Sequence, residues 1–178
     1  MMKHLAALSV AALVAVVPAQ AQTQAGKASK LNDPTIIAIF DAANTWDVET
    51  GDIAATKGST KEVREFGAML ARDHKQVRQL GRDLAKKLSV TPTPPKDFAM
   101  AKDHADAVKK LESVSGKAFD RAFLEHEVAY HKAVIDAVNA TLLPSLQNQE
   151  AKDLVIKIAP AFKAHQDAAQ NMLDKMGK

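Results

Sequence analysis

From Ile36 onward apolar residues recur three and four positions apart, and no stretch alternates with the period of two that a half-buried strand needs. The expected class is therefore all-α. A first helix spans about Ile36 to Ala55, opened by Asn32-Asp33-Pro34, a cap with proline in the first turn, and closed at Gly58. Ser59-Thr60-Lys61-Glu62 reads as a capping box opening a second helix that continues to Leu88. The turn between them is so short that they must be antiparallel neighbours. Three prolines between Ser89 and Lys96, namely Pro92, Pro94 and Pro95, enforce an extended crossing. Asp97 can then cap a shorter helix over Phe98 to Val114, and Ser115-Gly116 separates it from a third long helix over Lys117 to Leu142. Leu143 to Asn148, with Pro144, reads as a turn. A fourth long helix covers Gln149 to Met176 and contains Pro160, which is expected to kink it.

Placing each side chain on a wheel of 100° per residue puts several polar groups inside the apolar arcs that must face the core. In the fourth helix His165 lies near the centre of an arc built by Leu154, Val155, Ile158, Phe162, Ala169 and Met172. In the third, Glu127 and His131 sit four apart among Phe119, Phe123, Tyr130, Val134 and Val138. The second helix brings Asp73 inside and His74 to the edge of a stripe made by Val63, Phe66, Leu70, Val77, Leu80 and Leu84. In the first, Asp47 falls inside and Glu49 points away. A carboxylate on a buried face is expensive unless paired or ligated. His126, at an arc edge, and His104, in the short polar helix, carry no such implication.

The first residues change the picture of where this fold works. Met1 to Ala21 has a basic start at Lys3, an apolar run from Leu5 to Val17 and a small-x-small site at Ala19-Gln20-Ala21, the three parts of a cleavable secretory signal. Cleavage is expected between Ala21 and Gln22, with the periplasm as destination. The run of about 13 apolar residues is too short to span a bilayer. Gln22 to Lys30 is polar and aperiodic, so a leader over 22–32 precedes a single domain over 33–178. That leaves about 157 residues, enough for one core. Without any cysteine, packing alone must hold it. The 24 basic and 21 acidic residues are interleaved, so the formal charge of +3 forms no patch for nucleic acid.

Several of these residues form recognisable phrases: Asp47-Val48-x-x-Gly51, then Phe66-Gly67-Ala68-Met69-Leu70-Ala71-Arg72-Asp73-His74, then Phe119-Asp120 with His131, and Pro160 followed five residues later by His165. With them the chain resembles the DUF4142 family of exported bacterial proteins over roughly Pro34 to Met176. The resemblance implies a ferritin-like four-helix bundle, here with an additional short helix in the crossover between the second and third long helices. Asp47 stands where that family usually has Glu, and Glu127 rests on the wheel alone. Di-iron bundles use a repeated Glu-x-x-His. Here the residues three before His74, His131 and His165 are Ala71, Val128 and Phe162, so neither copy of that motif exists.

Two roles remain open on the residues. In one, Asp47, His74, His131 and His165 bind a single transition-metal ion, Zn, Cu or Fe, with Glu127 as an additional ligand and Asp73 holding an imidazole from behind. In the other, the chain is a non-enzymatic envelope or stress-associated protein whose interior polar cluster only fixes helix packing. An enzyme is less expected than either. No cysteine nucleophile, serine elbow or phosphate loop is present, and His126-Glu127-x-x-x-His131 has one residue too many for a zinc-protease helix.

Overall fold

The computed structural model describes residues 31–96 and 98–177. The expected signal, its cut after Ala21, the leader up to Lys30 and the capping role of Asp97 lie outside the described residues. Helix α1, Asp33–Lys57, begins where Asn32 accepts the Thr35 amide at 3.0 Å, with Pro34 in its first turn. Helix α2, Lys61–Lys87, is capped by Thr60, whose hydroxyl accepts the Val63 amide at 3.3 Å. The expected box on Ser59 and Glu62 does not form. Ser59 instead donates its amide and hydroxyl to the Asp120 carboxylate, which also accepts the Thr60 amide.

Ser89, in the left-handed region at φ 53°, ends α2 by a paired bond pattern: its amide reaches Lys86 O and that of Val90 reaches Ala85 O. The proline segment then crosses the start of α1, where the Thr93 amide donates to Pro34 O at 3.1 Å. Helix α3 follows over Ala99–Ser113, and α4 over Gly116–Ala137. The third long helix was expected to stop at Leu142. It continues through a π-helical turn, Val138–Leu142, into a last turn α5, Leu143–Ser145. The Leu143 amide donates to Val138 O, five residues back, and Pro144 is tolerated because it falls in the first turn of α5. Helix α6, Gln149–Met176, is capped by Asn148 and runs on through Pro160.

Paired contacts give the directions. Arg82 meets Asp41, and Lys75 meets Asp52, so α1 and α2 are antiparallel. His131 lies beside His165 while Val138 packs with Val155, so α4 and α6 are antiparallel too. Thr50 donates to Glu127 and Tyr130 to Ala43 O, which runs α1 against α4. Lys87 pairs with Glu150 and His74 with His165, which runs α2 against α6. Thus α2 and α4 point the same way, joined by the long crossing that carries α3. Among the described residues there is no strand, and no helix is long and apolar enough to cross a membrane.

Two apolar clusters fill the interior. One is centred on Leu70, Leu111, Phe119, Phe123 and Ala169; the other, at the opposite end, on Ile36, Val138, Leu146 and Val155. Leu80, expected on the inner stripe of α2, is 40% exposed. Helices α1 and α2 approach closely at Gly51 and Gly67: a Cβ on Gly67 would sit 2.7 Å from both the Ala54 Cβ and the Gly51 carbonyl oxygen.

Gly67→Ala therefore opposes a helix-propensity gain of about 1 kcal/mol with a backbone clash that only helix separation relieves, for a net loss of about 1–3 kcal/mol. Gly81→Ala, whose Cβ would meet only the Phe40 ring at 3.3 Å, is expected to stay within about 1 kcal/mol of the parent. Urea midpoints of the two variants check this contrast.

Candidate metal centre

Between the two apolar clusters lies a polar layer to which every long helix contributes. Helix α1 supplies Asn44, Asp47 and Thr50, three apart on one face; α2 supplies His74, α4 Glu127 and His131, and α6 His165. All seven are buried, Glu127 completely. The close glycine contact between α1 and α2, one turn from Asp47, lets short side chains bridge those helices.

The outer nitrogen of each imidazole faces an acceptor. His74 Nδ1 donates to Asn44 Oδ1 at 2.8 Å, and Asn44 is itself oriented by donating Nδ2 to Phe40 O. His131 Nδ1 donates to the Glu127 carbonyl at 3.0 Å, with Glu127 Oε2 at 3.4 Å. His165 Nε2 faces Asp73 Oδ2 at 3.4 Å. Phe162 stacks flat on His74 at 5.7 Å and fixes its plane.

With those protons directed outward, the inner nitrogens present lone pairs to one another and to Asp47. His74 Nε2 is 3.2 Å from His165 Nδ1 and 3.3 Å from Asp47 Oδ2, and His131 Nε2 is 3.7 Å from the same oxygen. With all three imidazoles neutral and their protons turned outward, four acceptors would meet with no donor among them. Asp47 Oδ1, His131 Nε2 and Glu127 Oε2 are buried without any hydrogen-bond partner. Such a focus of lone pairs calls for a cation, and a tetrahedral ion with ligand bonds of about 2.0–2.1 Å would separate its ligands by about 3.3–3.4 Å. His74, His131 and His165 form one ligand group by distance, and Asp47, Glu127 and His131 form an overlapping one.

The family described as "Domain of unknown function (DUF4142)" matches residues 17–172, a span that contains every residue of this layer. The chain belongs to the DUF4142 family. No curated protein and no solved structure matches it. In this DUF4142 chain the phrases Asp47-Val48-x-x-Gly51 and Asp73-His74 thus meet at one point: Gly51 sets the helix approach, Asp47 and His74 face inward, and Asp73 stands behind His165.

Electrostatics follow from this crowding. Burial raises Asp47 well above the usual carboxylate range; attraction to His131 opposes the rise and Glu127 adds to it. Burial would lower His131, but Asp47 and Glu127 outweigh it and lift the imidazole to about 9. His131 therefore holds a proton at neutral pH. His74 is pushed down to about 3 by burial and by its neighbours His131 and His165, and His165 moves in the same direction for the same reasons. Burial also opposes ionisation of Glu127, yet the His131 and His126 imidazoles beside it together outweigh burial and hold it below its ordinary value. Tyr130 rises well above its usual value, through burial first and then Asp47 and Glu127.

Of the residues singled out in the sequence, Asp47, His74, His131 and His165 converge. His74, placed at the edge of its arc, is in fact fully enclosed, because α6 covers that edge with Phe162 and His165. Glu127 lies behind His131, on its Nδ1 side, and accepts the Thr50 hydroxyl at 3.1 Å. Asp73, expected inside, is half-buried at the rim and also pairs with Arg72. His104, read as part of a polar helix, is buried: its Nε2 bonds Glu49 at 2.9 Å and its ring stacks on Trp46. Asn44 was missed; its Phe40-Asn44 spacing on one helix face was the available signal.

In metal-free protein His131 is expected to keep its proton up to about pH 9 while His74 stays neutral down to about pH 3. The stability His131 contributes is complete below its unfolded value of 6.5 and lost as pH rises to about 9; His74 withdraws stability as pH falls from 6.5 toward 3. Nitrogen-15 histidine spectra across pH, with urea denaturation at matching pH, read both directions.

Proposed function

We propose that this chain is an exported, ferritin-like four-helix bundle that binds one transition-metal ion through Asp47, His74, His131 and His165. The bundle reading is supported by the helix directions, with one long crossover joining α2 to α4, as in ferritin-like connectivity. The single observation that carries the metal reading is the convergence of three imidazole inner nitrogens on one another and on the Asp47 carboxylate, each imidazole with an acceptor behind it. Asn44, Asp73 and the Glu127 carbonyl each fix one imidazole from behind, which makes the inner nitrogen the free one. Glu127, behind His131, strengthens that imidazole as a donor to the ion. Three nitrogens and one oxygen suit Zn(II), Cu(II) or Fe(II) one ion at a time. A two-iron site needs bridging carboxylates, and Ala71, Val128 and Phe162 occupy the positions where the Glu-x-x-His motif would put them.

Purified protein stripped of metal and titrated with Zn(II) or Fe(II) is expected to bind one equivalent, and the His74→Ala/His131→Ala/His165→Ala variant none. Because His131 is protonated below about pH 9, binding expels at least one proton, so affinity rises about tenfold per pH unit up to that value and then levels off. Equal, negligible metal in both proteins, with a melting temperature indifferent to added metal, would sink this reading and leave the cluster as a device for helix packing.

The signal-like Met1 to Ala21 supports the export reading, with the periplasm of a bacterial envelope as the place where this chemistry would work. Mass spectrometry of protein recovered from that compartment should give a mature chain beginning at Gln22; an intact Met1 terminus on a cytosolic protein is the contrary result.

A further inference from the structure

A pocket of about 30 Å³ descends to the polar layer from the side where α1 and α4 meet. Its mouth is made of half-exposed apolar groups, Ile39 and Ala43 from α1, Met100 from the start of α3 and Val134 from α4; its floor is Asp47 and His74. The π-helical turn forms part of one wall through Val138 and Leu142. Such turns insert an extra residue into a helix and recur at functional sites.

The polar groups along this pocket are already committed. The Tyr130 hydroxyl donates to Ala43 O at 2.9 Å, and both ends of the Asn44 amide are bonded. Once Asp47 and His74 hold an ion, the polar atoms left are confined to the floor, at Asp47 Oδ1 and Asn44, and the walls above it are apolar. A pocket of this volume has room for water, which needs only about 10–15 Å³, but above the floor the walls are Ile39, Ala43, Met100, Val134 and Val138, and a water there lacks the two to four polar contacts that buried waters make. A molecule with one donor atom and no hydrogens to satisfy suits the space better.

We infer that the pocket is the route and seat of a small uncharged ligand, of the class of diatomic gases, which meets the ion at the edge between Asp47 and His74. The inference rests on the metal reading above. His131 and His165 do not line the pocket, so they hold the ion from the far side and leave that edge as the approachable one. Met100 belongs to α3, which His104 pins to α1 through Glu49 and Trp46, so α3 sets the width of the mouth.

Two measurements test this. Xenon, as a probe of the pocket alone, is expected to occupy it in metal-free crystals under pressure. Nitric oxide added to Fe(II)-loaded protein is expected to give the EPR signal of an iron nitrosyl, with iron content measured on the same sample. Val134→Phe, which fills the mouth, should slow nitrosyl formation by at least about tenfold without lowering iron content, and Val134→Ala should quicken it. Full iron loading with no nitrosyl signal, or with a rate indifferent to both Val134 variants, overturns the pocket's role and leaves the metal reading standing. Failure of iron to load, with xenon still seated, overturns the ligand's coordination, and failure of Zn(II) and Cu(II) as well overturns the metal reading with it.

Discussion

The geometry of the interior turns on where three protons sit. Each imidazole in the central layer has an acceptor behind it, an amide oxygen for His74, a main-chain carbonyl for His131 and a carboxylate for His165. Satisfying those acceptors turns the inner nitrogens toward one another and toward Asp47, with His74 3.2 Å from His165 and 3.3 Å from Asp47, and His131 3.7 Å from Asp47. Buried acceptors without donors are costly, and in a low-dielectric interior their mutual repulsion is hardly screened. A proton retained on His131 relieves the conflict in one way, and a metal ion relieves it in another by using all four lone pairs at once.

Such a layer survives only because the rest of the chain holds it closed. The Phe119 and Phe123 cluster on one side and the Ile36, Val138 and Leu146 cluster on the other supply the burial that the middle forgoes. Helix pairs anchored at both ends leave the central side chains little room to turn away from each other. The glycine contact at Gly51 and Gly67 fixes the spacing of α1 and α2 a turn from Asp47, and Phe162 stacks on His74. Sites on packed helices, with partners behind each ligand, hold geometry better than sites on loops.

The helices themselves could be read from the chain, since α2, α4 and α6 carry a clear period and α1, whose faces are less distinct, is marked by its cap and proline. Asp47, Glu127, His131 and His165 were also within reach, because an arc on a single helix is enough to point them inward. The wheel was less able to decide between Asp73 and His74, consecutive residues 100° apart: the answer depends on where α6 lies, which α2 alone does not encode. His104 is buried by Trp46 and Glu49 from a different helix, a tertiary effect that no local pattern announces. The π turn escaped for a related reason. Val138 to Leu142 holds no glycine or proline to mark it, and no local pattern separates a π turn from an α turn. Neither could the Ser59 cap be assigned, since the competing acceptor, Asp120, is 61 residues away.

Comparing that Asp120 with Asp47 separates structure from chemistry within one family phrase-set. Both are buried aspartates, 1% and 3% exposed. Asp120 receives two backbone amides and a hydroxyl from Ser59 and Thr60, so its charge is spent on holding the turn between α1 and α2 against α4. Asp47 receives no bond at Oδ1 and faces only imidazole nitrogens at Oδ2. Equal burial with opposite satisfaction means that the first carboxylate completes a fold and the second is held in deficit by it. A fold that can fully satisfy one buried aspartate has the means to satisfy another, and the one it leaves wanting marks where something from outside the chain is to be received.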